Sequence, residues 1–302
     1  MRASAVVIVA ALASGGAAQP PDHGGMHMGG AVLFLGRADA DQVVPRQASA
    51  ATATAAIIVD LRRAQLRYDL TFNGLERGGA SRIALFNFGA GGNGTTVAIL
   101  CGGGDAPACP AGGGARLAGT SDIRRWSGPL LSEFASGRIY VQVDGGDGRP
   151  EIRGQLAANM GMVPSRAYVA RLTPGSQPGA TGEGTAVLSE TFLPGGRVAV
   201  QYHVTVAGTA GRPEAAALIG APPQTETAVR FLDAQRLPNA RRQLARRSQA
   251  GATFSGGYTA RGAAPSQPLA NAMLAGARRP VLAIRTSRFP RGELFGEFVP
   301  VE

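Results

Sequence analysis

Two stretches of this chain alternate apolar and polar residues with a period of two, and they do so in the same way. Leu66, Tyr68, Leu70 and Phe72 alternate with Arg67, Asp69 and Thr71. Further on, Val198, Val200, Tyr202, Val204 and Val206 alternate with Ala199, Gln201, His203 and Thr205. Successive side chains of a strand point to opposite faces, so each stretch reads as a strand with one buried face. Both run into a glycine turn, at Gly74 and at Gly208. A second pair of segments matches in the same order. RIYVQVDGGDGRPEIRGQL (Arg138–Leu156) is similar to RPVLAIRTSRFPRGELFGEF (Arg279–Phe298). In each, a strand leads through a Pro/Gly turn to a second strand carrying Glu-x-x-Gly, begun by Glu151 and Glu293. Two anchors in the same order, about 140 residues apart, identify an internal duplication.

Composition fits an all-β reading. Among 302 residues there are 44 Gly and 20 Pro with few aromatics, which suits short strands joined by turns better than long helices. The expected architecture is an antiparallel sandwich or barrel in each half, over residues 31–160 and 161–302, with the boundary inside Ala157–Ser165. Short helices are expected only within Thr120–Phe134 and Leu269–Leu274. Residues 1–18 read as a secretory signal: Arg2 is the charged start, Ala5–Leu12 the apolar run, Gly16-Ala17-Ala18 the small-residue cleavage site. Residues 19–30 (QPPDHGGMHMGG) are too polar and Gly-rich to pack and read as a flexible leader. No apolar run reaches about 18 residues, so no membrane-crossing helix is expected. An exported, periplasmic or secreted chain follows. Its two cysteines, Cys101 and Cys109 in CGGGDAPAC, are then expected to pair, since a redox or metal dithiol usually has C-x-x-C spacing.

Candidate chemistry is sparse. All 30 basic residues are Arg, which removes lysine-dependent catalysis and phosphate-loop binding. The three histidines are His23, His27 and His203. His203 shares the polar parity of its strand with Gln201 and Thr205 and is expected to face solvent. No nucleophile-elbow pattern accompanies it, so no catalytic residue is assigned. His23, Met26, His27 and Met28 form a cluster of imidazole and thioether groups, the ligand set preferred by copper(I), and make copper the one candidate cofactor. Glu151 and Glu293 occupy equivalent positions and are expected to do the same structural work, with Arg153 a possible partner of Glu151. Trp126 reads as a core or lid residue. Charge is uneven: residues 19–165 hold 13 Arg against 12 acids, and residues 166–302 hold 16 against 8. Arg230, Arg236, Arg241, Arg242, Arg246 and Arg247 cluster in a segment that reads as an insertion outside the strand pattern. Such a cluster suits an anionic envelope surface; with only Phe231 among the arginines, stacking on nucleic-acid bases is not supported.

The segment Tyr140–Val143 with GRPEIRGQL resembles the closing pattern of the chordin-type (CHRD) domain, Tyr-Val-x-Val, a turn, then Gly-Glu-Ile-Arg-Gly-Gln. DQVVPR (Asp41–Arg46) resembles that family's opening element and LTFNGL (Leu70–Leu75) its next strand and turn; RGELFGEF keeps the closing frame in the second half. The resemblance implies two tandem immunoglobulin-like or superoxide-dismutase-like β-sandwiches, export, and a binding or envelope role rather than catalysis. Family members commonly carry Ala-His-Ile-His-x-Gly before a Gly-rich turn. Here Leu85 and Asn87 take the histidine places, and Ala217 and Ile219 align there in the second half. A family-type metal site is therefore not expected, and dismutase chemistry, which needs several converging histidines, is excluded.

Overall fold

The computed structural model describes residues 31–88, 94–126, 128–158, 165–193, 197–219, 246–247, 251–261 and 281–301. The first half gives β1 (Ala31–Asp39), β2 (Thr52–Asp60), β3 (Gln65–Asn73), β4 (Ala80–Asn87), β5 (Thr96–Cys101), β6 (Ala115–Asp122), β7 (Ile139–Gly145), β8 (Pro150–Gln155) and β9 (Ala157–Ala158). They form one antiparallel sheet in the order β5-β4-β7-β8-β1-β2-β3-β6, with β9 on β1. Between β8 and β1 the ladder is reduced to Asp39 opposite Arg153. The sheet folds over there into two layers. Phe34, Ala55, Ile57, Leu66, Leu70 and Phe72 from one layer pack on Ile83, Leu85, Val141, Val143 and Ile152 from the other. The expected helix is α1, Gly128–Ala135, because β6 takes the chain as far as Asp122. It closes one end of the sandwich: Phe134 lies edge-on to Phe34 at 5.0 Å and stacks on Trp126 at 5.1 Å.

The second half repeats the order. Its strands are β10 (Ser165–Pro174), β11 (Glu183–Leu193), β12 (Arg197–Ala207), β13 (Pro213–Ile219), β14 (Arg246–Arg247), β15 (Gly251–Arg261), β16 (Val281–Thr286), β17 (Leu294–Glu297) and β18 (Val299–Pro300). They are ordered β13-β16-β17-β10-β11-β12-β15-β14, with β18 on β10. Among the described residues this is, strand for strand, the first sheet without β5 and with β14 added. The shared turns hold too: Gly74 and Gly208 both have positive φ, 79° and 67°, which glycine adopts without strain. Tyr168, Leu172, Leu188, Val204, Ile284 and Leu294 fill the second core.

The two sandwiches pack through the layers β1-β2-β3-β6 and β10-β11-β12-β15. Alternation in β2 and β3 sends Ile57 and Leu70 into the core, and Thr54 and Thr71 outward onto the second half. Thr54 meets Thr205 at 2.8 Å, Thr71 meets Thr185 at 2.8 Å and Thr52 meets Thr253 at 2.7 Å. All six are buried. Beside them Leu33 and Ala56 pack on Ala167 and Val187. The polar faces of the alternating strands are thus covered at Thr71 and Thr205, while Arg67 and Gln201 stay exposed. They form a seam, and the molecule is four sheet layers deep.

Candidate functional site

His203 lies in this seam, which corrects the solvent-facing position expected of it. Its Nδ1 is enclosed without a hydrogen-bond partner. Burial, reinforced by the Arg37 guanidinium, pushes its pKa down to about 4. Arg37 in turn donates to Ser255 Oγ at 3.3 Å and lies 3.6 Å from Asp39. The equivalent residue of the first half is Asp69, bound by Arg116 through Nε at 2.9 Å and Nη2, and by the Thr185 hydroxyl.

Cys101 and Cys109 are joined, with Cα atoms 4.9 Å apart. Glu151 and Glu293, both fully buried, do the same work. Glu151 accepts from Ser49 Oγ and the Glu76 amide; Glu293 accepts from the Thr181, Ala210 and Gly211 amides and Thr286 Oγ1. Each pins a loop beside its closing hairpin. Arg153 is not the partner of Glu151. Leu85 is buried in the first core, and Asn87 Oδ1 accepts from the Thr95 amide. In the second half the alignment shifts by one residue. Leu218 pairs with Leu282 as Leu85 pairs with Val141, so Leu218, not Ala217, stands at the first histidine place, and the second lies outside the described residues. Leucine does not ligate a metal. Among the described residues no three His, Cys, Asp or Glu side chains converge. His23, Met26, His27 and Met28 lie outside the described residues, as do Arg230, Arg236, Arg241 and Arg242. Arg246 and Arg247 form β14, which pairs with Thr253 and Ala252 of β15; the end of the basic segment is therefore part of the sheet, not outside it.

The cluster richest in binding chemistry is one the sequence reading missed. It lies on the outward side of the layer β5-β4-β7-β8, opposite Leu85 and Val141. Phe86 and Tyr140 stack with ring centres 5.3 Å apart, and Phe88 meets Tyr140 edge-on at 5.6 Å. The Arg153 guanidinium sits 4.2 Å above Tyr140, and that of Arg82 5.5 Å from Phe86. Hydrogen bonds run from Arg153 Nη2 to Gln142 Oε1 (2.9 Å), from Gln142 Nε2 to Asp144 Oδ1 (2.7 Å) and from Arg82 Nε to Asp144 Oδ2 (2.8 Å). Arg153, Gln142, Asp144 and Tyr140 are buried, while 52% of Phe88 is exposed and Arg82 keeps 37% of its side chain in solvent. A cation held over rings by a hydrogen-bonded chain is fixed in place before any partner arrives. The corresponding face of the second half has Val281 for Tyr140, Ala283 for Gln142, Arg285 for Asp144 and Phe295 for Arg153. The fold therefore does not require this cluster. It was legible only as aromatic residues, Phe86, Phe88 and Tyr140, at the parity a solvated strand face would give to polar ones.

Residues 14–156 match the CHRD domain family. The match covers the first sandwich, the cluster on its outer face and the end of the segment read as a signal. Kinship of the second half with it rests on strand order and register. No curated protein and no solved structure matches the chain. No helix among the described residues is long and apolar enough to cross a membrane.

Proposed function

We propose that this chain is an exported, non-catalytic binding module that holds an acidic polysaccharide of the cell envelope through the outer face of its first sandwich. The observation that carries the reading is the Arg/aromatic ladder of Arg82, Phe86, Tyr140, Phe88 and Arg153, present in one repeat and replaced in the other. The exposed Phe88 ring offers a flat apolar surface to a sugar ring, and the solvent-facing part of Arg82 offers donors to its carboxylate or sulfate. The CHRD match over residues 14–156 supports an extracellular binding role. The cluster holds no side chain paired with a base as a nucleophile would be, which supports a binding role over a catalytic one.

The test uses the full mature chain with heparin and alginate as probes, titrated across a salt series. Phe88→Ala and Arg82→Gln are each expected to weaken binding about fivefold, the equivalent of about 1 kcal/mol. Binding should also fall with salt, since exposed charge contacts are screened over about 8 Å at physiological ionic strength. Equal affinity of both variants and the parent overturns the reading. Loss confined to a variant with Gln at Arg241, Arg242, Arg246 and Arg247 would move the site to the basic segment.

A further inference from the structure

The seam between the sandwiches is built by a rule. Following the ladders across the first half, Arg37, Thr54, Thr71 and Arg116 lie side by side; across the second half the row is Arg171, Thr185, Thr205 and Thr253. Thr54 is thus equivalent to Thr185, and Thr71 to Thr205. The contacts are reciprocal under this equivalence. Thr54 meets Thr205, and Thr71 meets Thr185. Thr52 meets Thr253, and their counterparts Glu183 and Arg116 meet as well, the Arg116 amide donating to Glu183 Oε1 at 2.7 Å. The edges obey it too. Gly251 has no room for a Cβ against Asn73, and its counterpart Gly114 has little against Ala207, the counterpart of Asn73. An interface in which i touches j while the equivalent of j touches the equivalent of i is isologous, the contact of a two-fold dimer.

We infer that the face β1-β2-β3-β6 is a pairing surface for another repeat of the same kind, so that this chain is a two-fold dimer of one module written on a single polypeptide. The seam, not the connection between Ala158 and Ser165, holds the halves together. Its hydroxyl pairs satisfy one another, as buried polar groups in a stable interface must. The two rows have also diverged in a complementary way. Arg116 and Asp69 on the first half receive Glu183 and Thr185 of the second. In a pair of first halves Thr52 would stand in the place of Glu183, and the Arg116 amide would lose the carboxylate that accepts its hydrogen bond. The partner the first face fits is therefore a second repeat, rather than another copy of itself.

The experiment begins from the intact protein. A protease recognition sequence replaces residues 159–164, the folded chain is cut, and the product is run on gel filtration at about 1 μM, a concentration that retains only pairs of submicromolar Kd. The two halves are expected to elute together in equal amounts, at the volume of the uncut chain. Thr54→Arg with Thr71→Arg is expected to leave the uncut chain compact, because the connection supplies an effective concentration of about a millimolar, and to separate the halves once cut. Circular dichroism of each separated half then reports whether it has kept its strands. Separation of the unsubstituted halves overturns the inference, whether they stay folded or not. Co-elution of the cut double variant also overturns it, since something other than the seam would then be holding them.

Discussion

Acid should loosen this molecule through His203, and the size of the effect follows from its place in the seam. A histidine with its folded pKa lowered takes up a proton in the unfolded chain before it does so in the folded one. Stability is then intact above about 6.5, declines as pH falls through the interval down to about 4, and has lost the full contribution below that. The interval corresponds to about 3 kcal/mol, and solvent at the accessible edge of the ring reduces it to about 2 kcal/mol. Carboxylates also titrate in this range, so the informative quantity is a difference. Urea unfolding of the parent and of His203→Gln, with the disulfide intact, would be compared at pH 7, 6, 5 and 4. The variant is expected to gain on the parent by about 2 kcal/mol between the first and the last. Curves that stay parallel from pH 7 to pH 4 would refute the enclosed, neutral imidazole beside Arg37.

Two further outcomes are expected. Glu190 is buried inside the second core with Tyr168 beside it, where the first half has Val59 and Phe34, and burial raises its pKa although Arg166 opposes this. Because its ionised form is disfavoured in the fold, Glu190→Gln should raise the melting temperature at pH 7, and the gain should shrink as pH falls toward the ordinary carboxylate range, where the unfolded chain also takes up the proton; thermal melts at neutral and acid pH check it. The folded protein should show no titratable thiol, and reduction of Cys101–Cys109 should lower stability by about 2–3 kcal/mol, the loop-closure value for so short a loop, as read from denaturant midpoints.

The strands, the duplication and the turns at Gly74 and Gly208 were legible because period-two alternation is a local signal. What alternation does not say is what lies on the polar side. Thr54, Thr71 and His203 have the pattern of a solvated face, yet they are covered by a second layer whose own face is polar too, and hydroxyl paired with hydroxyl leaves no apolar trace in sequence. The carboxylates at 151 and 293 could be given a shared structural role from their equivalence, but their partners, Glu76 and Ser49 lying 75 and 102 residues from Glu151 and the Gly211, Ala210 and Thr181 amides lying 82, 83 and 112 residues from Glu293, could not. Arg82 and Asp144 are 62 positions apart, and only the pairing of β4 with β7 brings them together.

Because the layers joined at the seam are the inner two of four, the two remaining outer layers look away from each other. One carries guanidinium groups over aromatic rings and the other carries Val281, Ala283 and Phe295 at the same places. A molecule of this kind is not interchangeable end for end. If the first sandwich holds a charged matrix, as proposed, the second is turned outward, away from that matrix. A layer of such molecules would have a defined inside and outside, an orientation imposed by the divergence of two faces that began as the same one.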